Sequence, residues 1–77
     1  MKKLTNAFKK KVIMAIISHM AEHPCELVHN CYFRHYGVDY RIEEVENDTY
    51  KIFRVNKYSI YDYDVCGYCA YNDTWIY

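Results

Sequence analysis

The chain has 77 residues, no net charge, ten lysines and arginines against ten acidic residues, and 18% aromatic residues, ten of them tyrosine. One domain is the most this length supports, and a core this thin relies on dense aromatic packing, a metal, disulfides or a partner subunit. No apolar run approaches the ~18 residues of a membrane span, and two glycines and one proline rule out a linker or low-complexity segment.

The amino end is basic: Lys2, Lys3, Lys9, Lys10 and Lys11 stand in the first twelve residues with no acid among them. Val12–Ile17 is too short for the apolar core of a signal peptide and is followed by Ser18-His19, so the segment reads as uncleaved and the chain as cytoplasmic, in a bacterial host. Stepped at 100° per residue, 5–22 reads as a helix. Phe8, Val12, Ile13, Ile16, Ile17 and Met20 share a broad apolar arc, with Ala15 at its edge and Lys10, Lys11, Ser18 and Glu22 opposite. Thr5 or Asn6 supplies the N-cap, and Pro24 ends the helix. Lys9 falls inside the apolar arc and has to run its stem along the surface to reach water.

Residues 25–36 fit two descriptions. Leu27, Cys31 and His35 have i, i+4 spacing, which favours a second short helix opened by Pro24 and capped by Gly37. The aromatic content of Val28–Tyr36 suits a strand instead. From Val38 the period becomes two: DYRIEEVE and TYKIFRV flank the turn residues Glu46-Asn47-Asp48 and form a hairpin. A third strand is expected over 58–65, a tight turn at Cys66-Gly67, a short strand at Ala70-Tyr71, and a turn at Asn72-Asp73 leading into Thr74–Tyr77. The expected fold is a single α+β domain over 1–77, an N-terminal helix, with or without a second short helix, packed on a small antiparallel β-sheet.

The chemistry-bearing residues are few. Cys66-Gly67-Tyr68-Cys69 has the spacing of a redox pair, but only eight residues follow Cys69, too few for the framework that a thioredoxin-like thiol requires. The same spacing fits a zinc knuckle, with Cys25 and Cys31 or His19 and His23 as the second pair. Buried thiols without metal are the favoured reading, because free cysteine behaves as a small hydrophobe. No nucleophile, phosphate loop or carboxylate pair stands in a credible context, so no enzyme is expected.

The carboxyl-terminal third is the most distinctive part. Tyr58, Tyr61, Tyr63, Tyr71, Trp75 and Tyr77, alternating with Asp62 and Asp64, exceed what a small sheet can bury, and exposed tyrosine favours protein contacts. This points to a non-enzymatic interaction protein that binds a protein partner, or a second copy of itself, through a tyrosine-rich acidic face, with no membrane contact. An outer strand such as 74–77 offers an edge for a partner strand. The alternative is a zinc-stabilised nucleic-acid-binding protein using Lys9, Lys10 and Lys11. The Lys, Asn, Tyr and Ile usage resembles that of AT-rich bacterial or phage genomes, and a tiny domain without catalytic apparatus resembles the accessory proteins of phages and mobile elements. That resemblance implies an inhibitor that binds and blocks a host protein.

Overall fold

The computed structural model describes residues 4–76. One helix, α1 (Asn6–Glu22), packs on a five-stranded antiparallel sheet formed by β1 (Cys31–His35), β2 (Val38–Glu46), β3 (Thr49–Arg54), β4 (Tyr63–Cys69) and β5 (Thr74–Ile76). The strands are neighbours in chain order, so each connection is a hairpin.

The α1 N-terminus is capped by Thr5, whose Oγ1 accepts the Phe8 N–H at 3.1 Å. At the other end the His23 N–H reaches the His19 carbonyl at 2.9 Å, and Pro24 follows. Phe8, Val12 and Ile16, spaced i, i+4, are the helix residues that become buried. The apolar arc is narrower than the sequence pattern implied: Ile17 and Met20 are 61% and 47% exposed. Ile17 lies about 140° around the helix from the fully buried Val12, beyond what a single sheet layer can cover. Lys9 behaves as its position demands, half-buried with Nζ 5.7 Å from the Trp75 ring centre.

No second helix forms over 25–36; Cys31–His35 is a strand. Its Phe33 is claimed by the core, where it stacks on Tyr40 of β2 at 5.2 Å and both meet Phe8. Gly37 therefore caps no helix. With Tyr36 it forms a two-residue hairpin turn in which both residues have positive φ (49° and 74°), the turn that matches strand twist. The segment before β1 is tied down by Glu44. Its backbone N–H donates to the Val28 carbonyl at 2.8 Å, and its Oε1 accepts the Val28 N–H at 3.0 Å.

The hairpin over 38–55 forms as expected, with one residue more on β2 at Val45 than on β3. The third strand starts later than expected, at Tyr63, because 56–62 is a loop. After an extra residue at Val65 it continues as a strand through Cys66-Gly67, and Ala70-Tyr71 lies in the turn before β5. The helix-facing side of the sheet contributes Cys31, Ile42, Tyr50, Ile52, Cys66 and Tyr68 to the core, with Ile42 fully buried. Burying a side chain of this kind stabilises the fold by ~1.5–3 kcal/mol. The opposite face has no covering layer among the described residues, an arrangement that antiparallel sheets tolerate.

Candidate functional site

The strand through CGYC changes its meaning. In a strand, neighbouring side chains alternate between faces, so Cys66 and Cys69, three apart, point to opposite sides of the sheet. Cys66 lies in the helix-side core, and Cys69 is buried at the end of β4. A knuckle would need both thiols on one side of a turn. Cys31 is buried on β1 and its thiol donates to the Ala15 carbonyl at 3.5 Å, while Cys25 sits exposed after α1. His19 and His23 lie ring against ring at 4.6 Å, and His23 approaches Glu26. Among the described residues no three His, Cys, Asp or Glu side chains gather at one point. The expected zinc ligands are thus dispersed: strand parity parts Cys66 from Cys69, Cys31 lies on the face of Cys66 but three strands away on β1, and Cys25 lies off the sheet. Burial pushes the Cys66 thiol up to about 11, with Lys9 acting weakly the other way, and burial also raises Cys31. Both are protonated thiols of the core at neutral pH, not nucleophiles.

The expected tyrosine surface is split in two. Tyr58, Tyr61 and Tyr63 lie on the β3–β4 loop and the start of β4, whereas Tyr71 lies beyond the end of β4, about 20 Å away along the strand. Trp75 is half-buried against Tyr68, with ring centres 4.3 Å apart, and belongs to the packing of β4 on β5. Tyr68 is buried and its hydroxyl donates to Asp73 at 3.1 Å. Tyr77 lies outside the described residues.

What remains is an aromatic rim at one end of the sheet. Tyr58 is 98% exposed, Ile60 90% and Tyr61 76%. Two residues escaped the sequence reading: Ile60, and Tyr36 at the neighbouring hairpin turn, 88% exposed. The pair Tyr36-Gly37 ahead of a period-two segment was the available signal for Tyr36. The loop that carries the rim is shaped by its own polar side chains. Asn56 Oδ1 accepts the Tyr58 N–H and Ser59 Oγ accepts the Tyr61 N–H, each at 3.1 Å. Asp62 turns inward, where Oδ1 accepts the Asn56 N–H and Oδ2 accepts Arg41 Nε–H, each at 3.0 Å. With these polar groups occupied inside the loop, Tyr58, Ile60 and Tyr61 are left outside it.

The rim is also less acidic than the sequence implied. The Asp62 carboxylate is held below the usual range, first by the Asn56 N–H and then by Arg41. Asp64 follows the strand alternation to the face opposite Tyr63. A depression of about 280 Å³ between Gly37, Tyr58 and Tyr63 is lined by two cations, Arg54 and Lys57, and one carboxylate, Asp39. Asp39 is itself paired with Arg34 at 2.9 Å. Among the described residues, no helix is long and apolar enough to cross a membrane. Compared with protein-family models, curated proteins and solved structures, the chain matches none.

Proposed function

We propose that this chain is a small, non-enzymatic protein-binding module that engages its partner with the rim formed by Tyr36, Tyr58, Ile60, Tyr61 and Tyr63. The observation that carries this reading is the β3–β4 loop: its backbone is fixed by Asn56, Ser59 and Asp62 while its large side chains face water. A loop whose backbone is held in place before binding has less freedom to lose on contact, and tyrosine joins a wide apolar surface to one polar tip. A phage-type accessory protein that occludes a site on a bacterial host protein, acting in the reducing cytoplasm, is the biological setting that fits such a module. The separate, largely buried thiols suit that compartment.

The test uses the full chain as bait in a bacterial lysate beside a Tyr58→Ala/Tyr61→Ala variant. Both side chains are exposed, so the variant is expected to melt like the parent. The expected result is a captured protein that the variant loses. Capture that is equal for both chains, or no capture, overturns the reading. Sedimentation over a concentration series separates a foreign partner from a second copy. Retention of a labelled oligonucleotide, lost with rising salt, would instead assign Arg54 and Lys57 to a nucleic acid.

A further inference from the structure

The other end of the aromatic rim leads to an unpaired sheet edge. The Tyr36-Gly37 turn makes His35 and Val38 a hydrogen-bonded pair, and alternation makes Phe33–Tyr40 and Cys31–Ile42 the next ones. The backbone N–H and C=O groups of Tyr32 and Arg34 therefore point away from β2. Neither takes part in any other backbone bond among the described residues. Sheet edges in stable domains are ordinarily blunted by a proline, a bulge or an inward charge. β1 has none of these, and its one outward charge, Arg34, is paired with Asp39: its five residues pair with β2 without a break in register, and its helix-side residues are Cys31, Phe33 and His35.

A groove runs beside this edge, between β1 and α1. It consists of two adjoining depressions of about 410 and 400 Å³ that share Lys11 and Met14. Its walls are apolar where Met14, 57% exposed, faces Phe33. Its lip is basic: Lys10 and Lys11 stand on α1 and Arg34 on β1. Neither Lys10 nor Lys11 forms an ion pair among the described residues. Among the described residues the one carboxylate in the groove is Glu22, at its far end.

We infer that this edge accepts an extended acidic segment of another protein by strand addition. A strand added about 4.8 Å outside β1 matches the free N–H and C=O groups of Tyr32 and Arg34. Every second side chain of that strand enters the groove, apolar ones against Met14 and Phe33, carboxylates against Lys10 and Lys11. A row of alternating backbone donors and acceptors is matched by another peptide backbone and not by a phosphate chain, which has no amide donors to offer the two carbonyls. The groove meets the tyrosine rim at Tyr36 and shares no other residue with it, and its failure leaves the rim's proposed role standing.

The test is amide shift mapping and hydrogen exchange on the isotope-labelled full chain, with three probes: a short Glu-Thr-Val-Thr repeat peptide, whose every second residue is by turns Glu and Val so that both enter the groove, its Lys-for-Glu counterpart, and an oligothymidylate. The Glu peptide is expected to move the amides of Tyr32, Arg34 and the 10–18 stretch of α1, and to slow exchange at Tyr32 and Arg34 by about tenfold or more. The Lys peptide should leave them in place. K10E/K11E should weaken binding by at least about tenfold with unchanged circular dichroism and melting. Arg34→Pro, which removes an outward N–H and no ladder bond, serves as a second variant and should also abolish the shifts. No shifts at ~1 mM Glu peptide, equal binding of both peptides, shifts mapping elsewhere, or the same shifts with oligothymidylate would each overturn the inference.

Discussion

Arg41 and Asp62, twenty-one positions apart in sequence, meet at 3.0 Å where the β3–β4 loop returns to the sheet. The Arg41 guanidinium also lies 4.4 Å over the Phe53 ring and donates to Glu43 at 3.0 Å. Asp62 thus joins the sheet to the loop, since its second oxygen holds the Asn56 N–H. Replacing Asp62 by Ala leaves that N–H and one guanidinium donor without partners. The expected cost is ~1–3 kcal/mol, read as a lower urea midpoint. Asp62→Asn keeps an acceptor for the Asn56 N–H and should cost less. Tyr58→Ala, on the same loop but fully exposed, should stay within ~0.5 kcal/mol of the parent.

The same carboxylate sets the acid limb of stability. The Asn56 N–H and then Arg41 hold the Asp62 carboxyl below its ordinary value, and Arg34 does the same for Asp39. A group whose folded value is depressed contributes stability above its unfolded value, ~3.9, and loses it as pH falls through the folded value. Urea midpoints followed from neutral pH downward should hold level and then fall below about pH 4. Asp62→Asn should flatten part of that fall.

The alkaline limb runs the opposite way. The Cys66 thiol is pushed up to about 11 by burial, and burial also raises Cys31, Tyr50 and Tyr68. The unfolded chain ionises Cys66 near ~8.5–9, while the folded chain keeps it protonated through that range. Stability from Cys66 is therefore complete below about pH 9 and is lost as pH rises through about 11, a change on the order of 2–3 kcal/mol. Cys66→Ala should remove this share of the alkaline loss while costing ~1–2 kcal/mol at neutral pH through the space it leaves. A thiol reagent should find Cys25 at once and the three buried cysteines only as the fold opens.

These outcomes bear on what could be read from the chain before its fold was known. The helix was legible because Phe8, Val12 and Ile16 repeat at helical period between a capping threonine and a proline. The central hairpin was legible because alternation and turn residues agree there. Residues 25–36 were not, since Leu27, Cys31 and His35 satisfy a helical spacing that only the pairing of Cys31–His35 with β2 overrides. The tyrosines were correctly marked as more than the core could hold. Their division between two ends of the sheet was hidden, because it depends on β4 extending through Gly67, a residue that reads locally as a turn. Asp62 looked like part of an acidic surface because its partner Arg41 lies on another strand.

The two glycines give the sharpest check on that register. Gly67 has no positive φ, faces the uncovered side of β4, and a methyl group there would meet Ile76 Cβ and the Tyr50 carbonyl oxygen at 3.6 Å, ordinary contact distances. Glycine inside a strand costs ~0.5–1 kcal/mol relative to alanine, so Gly67→Ala should leave the fold intact and raise its urea midpoint. Gly37 is the reverse case. Nothing lies within 4 Å of an added methyl group, yet its φ of 74° belongs to the left-handed region. Gly37→Ala should therefore destabilise by ~1–2 kcal/mol with no steric clash at all. The two substitutions are chemically identical and should move the midpoint in opposite directions. Had CGYC formed a knuckle with its glycine at positive φ, both would lower it.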